Sequence, residues 1–327
     1  MTTTHLSAFF SSFKTISPPT SPRRRGPITK SPSWIPAFAG TSDTLYTRNK
    51  NTLALLLSCT LLSACSTIPD TQERRVIASN IAQPAGFSME TITTRPFTLT
   101  AQKHIRNPQS KEAMIYIEGD GLAWLSKRTP SLDPTPTDPT ALRLAARDPS
   151  DNIIYLARPC QYTPRKQAGP CKIDYWSTKR FAPEVLQSYH QALDTFRQRY
   201  AFEEFHLVGF SGGGNIAALL AAERADIASL RTVAGNLDHR KHSEVHNVSI
   251  LKSSLNAKDY AQKLAATPQH HFIGGQDNIV PPSIFESFLR ASKSPCIPST
   301  IIPSASHTEG WEAHWSELLQ SPLSCGK

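Results

Sequence analysis

Short β-branched and apolar runs alternate with helical stretches along most of this 327-residue chain. "AMIYIE" (113–118), "NIIYLA" (152–157), "FHLVGF" (205–210), "LRTVAG" (230–235), "HHFIG" (270–274) and "STIIP" (299–303) each read as a strand. "RPFTLTAQ" (95–102) reads as an earlier one. Apolar runs without in–out alternation are buried on both faces, the mark of a parallel sheet covered by helices. Helices fill the intervals. "PEVLQSYHQALDTFRQRY" (183–200) opens with proline and carries Val185, Leu186, Tyr189, Leu193 and Phe196 on one stripe. Further helices are expected at 213–223, 282–292 and 309–320, and a short one in "ALRLAARD". The fold class that follows is α/β, a mostly parallel sheet with helices on both faces.

One segment breaks the rhythm. "TPSLDPTPTDPT" (129–140) is too rich in proline to lie inside a sheet, so it reads as an excursion over the carboxyl edge. Strand order puts 159–182 and 236–269 at the same edge, where open α/β sheets bind ligands.

Gly209-Phe210-Ser211-Gly212-Gly213 stands between strand 205–210 and helix 213–223. G-x-S-x-G in that context is a sharp strand-to-helix turn. It lifts the serine above the sheet and aims the next backbone N–H, that of Gly212, at the same point. The glycines are placed where a Cβ would clash, at a cost of about 1 kcal/mol each inside a helix. Gly214 lies beyond the motif and has no role at this level. A serine needs a base, and the base needs an orienting acid. Asp277 follows strand 270–274 in "GGQDNIVPP", and His307 follows strand 299–303 in "IIPSASHTEGW".

From about residue 90 to its end the chain resembles the α/β-hydrolase superfamily, on G-x-S-x-G, the "GQDNIVPP" acid loop and the position of His307. The resemblance implies an α/β-hydrolase fold with Ser211 as nucleophile, His307 as general base and acid, and Asp277 as orienter. It implies a serine hydrolase acting on a small acyl substrate, a carboxylic ester or related acyl bond, through an acyl-enzyme. Acyl transfer, peptidase action on the same triad and a non-catalytic binding module are the alternatives. No cofactor is implied. Asp238, after the preceding strand, is the alternative acid. His314 is the competing base and reads as packing or surface. The second oxyanion donor is expected from Asp120 or Gly121 in "EGDG", where the family often has His-Gly. Glu118 and Asp120 place acids near a developing oxyanion. That is unfavourable unless they turn away or pair, and Arg158, ending the neighbouring strand, is the candidate partner. His239, His242 and His246 have metal-ligand spacing. Without helix periodicity or a carboxylate they read as solvated loop histidines, and no metal site is expected.

Charge excludes one partner class. Residues 1–65 carry seven of the 35 Lys/Arg and one of the 26 Asp/Glu, so the remainder is nearly balanced and nothing suggests nucleic-acid binding. "RNKNTLALLLSCTLLSAC" (48–65) instead resembles a bacterial lipoprotein signal: cations, a short apolar run, then Leu-Ser-Ala-Cys. It implies removal of 48–64 and a lipid on Cys65. Ser66, not aspartate, follows, so the expected place is the outer membrane, facing the periplasm. The organisation expected is then a disordered or mis-assigned stretch over 1–47, a lipoprotein signal over 48–64, a linker over 65–90 and the α/β-hydrolase domain over 91–327. Cys59 leaves with the signal. The four other cysteines form two local pairs, Cys160 with Cys171 and Cys296 with Cys325, expected as disulfides in an oxidising compartment at about 3 kcal/mol each. Oligomeric state is not readable. Residues 1–47, rich in Ser, Thr and Pro, precede the signal's cations by too many positions, and "SPRRRG…SWIPAFAGTSD" resembles translated intergenic repeats. Translation is therefore expected to start near residue 45, and sequencing or weighing the unprocessed precursor should find no residue before it.

Overall fold

The computed structural model describes residues 68–325. The signal at 48–64, the lipidation site Cys65 and residues 1–47 lie outside them. Eight strands form one sheet: β1 (Ser88–Thr93), β2 (Thr98–Ile105), β3 (Glu112–Ile117), β4 (Asn152–Leu156), β5 (Glu204–Phe210), β6 (Ile227–Val233), β7 (Gln269–Gly274) and β8 (Ser299–Ile302). Their spatial order is β1-β2-β4-β3-β5-β6-β7-β8. β1 and β2, and β2 and β4, pair antiparallel, and every other pair is parallel.

The pleat divides the core. Ile115, Ile117, Ile154, Leu156, Phe205 and Leu207 face one side. Met114, Tyr116, Ile153, Tyr155, Val208 and Phe210 face the other. The first side is covered by α3 (Pro183–Tyr200) and α4 (Gly212–Glu223), with α6 (Pro282–Ser292) near the far edge. The expected α3 stripe is entirely buried: Val185, Leu186, Tyr189, Leu193 and Phe196. At about 1.5–3 kcal/mol for a fully buried apolar side chain, that stripe fixes the helix to the sheet. The second side is covered by α1 (Thr71–Ala82), α2 (Thr140–Ala145) and the C-terminal tryptophans Trp311 and Trp315.

Three expectations change. The linker over 65–90 is folded from Thr71 onward: Asp70 and Glu73 form a capping box, and Ala78, Ala82 and Phe87 enter the core. Its weak apolar pattern concealed a helix whose buried face is Arg74, Ala78 and Ala82. Residues 239–245 form a short helix, α5 (His239–Val245), because the Asp238 carboxylate accepts the N–H of Arg240 and Lys241. The helix expected over 309–320 is cut to a 3₁₀ turn, Glu312–His314, and one turn of α-helix, Trp315–Leu318. No helix among the described residues is long and apolar enough to cross a membrane.

The Pro-dense excursion stands at the carboxyl edge as a small hairpin, with Ser131 N–H donating to the carbonyl of Ala123, followed by a run into α2. α1 ties it down: Thr71 Oγ1 donates to Asp133 (2.6 Å), and Arg74 donates to the carbonyls of Asp133 and Thr135. The four cysteines stand at disulfide distance in the expected pairs, Cα–Cα 5.6 Å for Cys160–Cys171 and 6.3 Å for Cys296–Cys325.

A polar contact inside the second core layer fixes the C-terminal segment. Tyr116 donates to Asp148 (2.6 Å) and accepts from Trp315 Nε1 (2.9 Å). Tyr116→Phe strands a buried carboxylate oxygen and a buried indole N–H. It should cost about 2–3 kcal/mol, roughly 5–10 °C in Tm by thermal melting.

Candidate active site

Ser211 sits at φ 50°, ψ −120°, between β5 and α4. A non-glycine residue there carries strain of order 1–3 kcal/mol, held only if its surroundings over-determine it. They do. Ser211 N–H donates to Val233 O (3.0 Å), and Ser211 O accepts from Asn236 N–H (2.9 Å) and Gly214 N–H (3.0 Å). The glycines have one purpose, close backbone approach. A Cβ on Gly209 would lie 2.5 Å from Gly213 O, and one on Gly213 would strike the carbonyls of Ile117 and Glu118. Gly214, without a role at sequence level, meets Gly235 in the same way: a Cβ would lie 2.9 Å from the Gly235 Cα.

Asp277 and His307 arrive from the loops after β7 and β8. His307 Nε2 is 3.0 Å from Ser211 Oγ, and His307 Nδ1 is 2.9 Å from Asp277 Oδ2. Asp277 is buried, and its Oδ1 accepts the N–H of Ile279 and Val280, both 2.8 Å. Those two bonds aim the other oxygen at the imidazole. This partner set makes Nδ1 the donor to Asp277 and leaves Nε2 to accept the serine proton. Trp311 Nε1 donates to His307 O (3.1 Å), and the imidazole packs on Phe210 at 5.1 Å between ring centres.

The rivals lie elsewhere. Asp238, the alternative acid, caps α5 and is bound by Asn256, Ser287 and Lys258. Burial works against its charge, but these hydrogen bonds prevail and hold its pKa down to about 2. Its oxygens are fully used. His314 is exposed on the 3₁₀ turn.

The three histidines of 239–246 separate. His239 is buried with its ring stacked on Phe181, which corrects the expectation of solvated loop histidines, and His246 meets the carbonyl of Ile279. His242 is half-buried. Burial, then His246 and Arg180, lower its pKa to about 4, so it is neutral near pH 7. Among the described residues no group of His, Cys, Asp or Glu is arranged to hold a metal ion.

The loop after β3 lies on the serine turn. A Cβ on Gly119 would touch Ser211 Cβ at 3.2 Å, and one on Gly212 would strike the Asp120 carboxylate. The N–H groups of Gly212, Asp120 and Gly121 make no hydrogen bond among the described residues, so all three expected oxyanion donors are free. Both acids are accommodated. Glu118 turns into the core, where Oε1 accepts from Gly119 N–H (2.8 Å) and Ala141 N–H (3.4 Å). Asp120 is clamped by Arg158 (2.9 Å) and Arg180 (2.7 Å). Burial alone would raise its pKa, but Arg180 and then Arg158 outweigh that and lower it. Arg158 was legible as the end of a neighbouring strand. Arg180 was not, because nothing marks it within its loop. Gln161 was also missed: it donates to Gly119 O (3.1 Å) and accepts from Arg158 N–H (3.0 Å), bracing the β3 loop from beside Cys160.

No protein-family model matches the chain, and no curated protein matches it in sequence. Solved structures do match. The chain is similar to the esterase Pf2001 of Pyrococcus furiosus at 13% identity, over 74% of this chain and 95% of that one, with a TM-score of 0.51. An acylaminoacyl peptidase in complex with Z-Gly-Gly-Phe-chloromethyl ketone is similar over 74% of this chain and 42% of that one, at 11% identity and a TM-score of 0.51. The sheet order, the crossovers and these likenesses make the fold that of the α/β-hydrolases.

Burial raises the Glu118 pKa to about 7, against hydrogen bonds from Gly119 and Ala141 that favour the anion. Its folded value exceeds its unfolded one, so this contribution is fully present below about pH 4.5 and is lost as pH rises through about 7. Glu118→Gln should flatten stability across that window. It should add about 3 kcal/mol at pH 8 relative to the unmodified chain, read from denaturant melts at several pH values.

Proposed function

We propose that this protein is a serine hydrolase that cleaves a carboxylic ester through an acyl-enzyme on Ser211. The observation that carries the reading is the continuous relay from Ser211 Oγ to His307 (3.0 Å) and on to Asp277 (2.9 Å). His307 Nε2 takes the Oγ proton as Oγ attacks the acyl carbon. Asp277 stabilises the imidazolium and keeps its ring in register. The carbonyl oxygen becomes an oxyanion facing the N–H of Gly212 and that of Asp120 or Gly121, at the start of α4, where the helix dipole adds positive potential. The imidazolium then protonates the departing alkoxide. Water, deprotonated by the same imidazole, releases the acid. The Asp120 carboxylate does not oppose the oxyanion, because two guanidinium groups close on it.

The enzyme works at the outer membrane, facing the periplasm, held by a lipid on Cys65. Two cysteine pairs at disulfide distance suit an oxidising compartment.

Ser211→Ala should lower kcat on chromogenic short-chain esters by roughly 10⁴ to 10⁶ with the fold retained. A fluorophosphonate probe should label the native chain and not the variant. Comparable turnover by the variant, or no labelling of the native chain, would end the proposal.

A further inference from the structure

Two cations close on one carboxylate beside the serine turn. Arg158 Nη1 meets Asp120 Oδ1 and Arg180 Nη1 meets Oδ2. One guanidinium would balance Asp120, so the cluster keeps a charge of +1. The groups around it do not cancel that charge. His242 is neutral near pH 7, and His239 is buried against Phe181. Glu118 faces the opposite layer, Asp277 is committed to His307, and Asp238 to Lys258.

The two arginines are not equivalent. Both lie against the Phe181 ring, but Arg158 is the more enclosed, its Nη2 donating to the carbonyl of Arg180. Arg180 uses only Nη1 among the described residues, and its Nη2 has no acceptor there. The Nε atoms of both are buried without an acceptor. The clamp therefore holds more donors than acceptors. It also adjoins the reaction centre, because the Asp120 carboxylate lies against Gly212, next to Ser211. A guanidinium fork can serve two carboxylates at once, one on each terminal nitrogen.

We propose that Arg180 is a specificity-determining residue that receives a carboxylate carried by the substrate, so that the preferred substrates are anionic esters. Asp120 fixes the guanidinium by one nitrogen and leaves the other for the ligand. Arg158 supplies the charge that keeps the pair from repelling an anion. This inference rests on the serine-hydrolase reading of Ser211.

The test compares matched esters. p-Nitrophenyl hemiglutarate against p-nitrophenyl pentanoate places the charge on the acyl side, and 3-acetoxybenzoate against 3-acetoxybenzamide places it on the leaving group. In at least one pair kcat/KM for the anionic ester should exceed its neutral partner by about tenfold or more at low salt, and the gap should narrow as salt rises. Arg180→Met should collapse that ratio, chiefly through KM. Arg180→Lys, which keeps the charge without the fork, should retain part of it and serves if the Met variant does not fold. Turnover without anion preference in either pair, or an equal loss on both partners in Arg180→Met, overturns the inference while leaving the hydrolase reading in place. No turnover of any of these esters, together with no fluorophosphonate labelling of Ser211, overturns both.

Discussion

The distance at which the first turn of α4 can pass the ends of β3 and β6 governs the rest of this site. Gly209, Gly213 and Gly214 bring backbone onto backbone, against the carbonyls of Ile117 and Glu118 and the Cα of Gly235. That contact forces Ser211 into a positive-φ conformation, and hydrogen bonds to Val233 and Asn236 hold it there. With larger side chains the helix would ride outward. The serine would then leave the reach of an imidazole fixed independently by Trp311. The helix propensity lost at Gly213 and Gly214 is part of the energetic cost of this approach. It is offset by a helix whose other residues, Asn215 and Glu223 apart, are buried and apolar.

Electrostatics at the mouth follow from the same closeness. The loop after β3 lies on the serine turn, so its two acids stand where negative charge is least welcome. Each is handled differently. Glu118 turns inward and is pushed toward neutrality by burial, and Asp120 stays at the edge, charged, between two arginines. The first solution is paid in pH-dependent stability. The second leaves net positive charge beside the serine, in a setting screened less by salt than an open surface.

The excursions over the carboxyl edge brace one another. Gln161, next to a bridged cysteine, holds the β3 loop through Gly119 O, and α1 pins the Pro-dense hairpin through Asp133 and Thr135. Arg143 of α2 donates to Thr308 O, joining that excursion to the loop that carries His307 (3.0 Å). Segments from the β3–β4 and β4–β5 crossovers, the N-terminal helix α1 and the loop after β8 are thus mutually constrained around a rigid sheet edge, which is what fixing three side chains from separate loops in one geometry demands.

Periodicity and short motifs determined the layer architecture, the long α3 stripe, the strand-end positions of Ser211, Asp277 and His307, and the local cysteine pairs. These are properties of continuous segments, so the linear text contains them. The text did not contain α1, whose buried face is mostly alanine, nor α5, whose start depends on one capping carboxylate. It left Asp238 open as an acid, because only its neighbours Asn256, Ser287 and Lys258 reveal that its oxygens are occupied. It gave no signal for Arg180 or Gln161. A lone polar residue in an irregular loop has no periodicity and no fixed spacing. Its partner and its charge balance arise only when distant crossovers meet over the sheet, so those roles were decided by the tertiary structure.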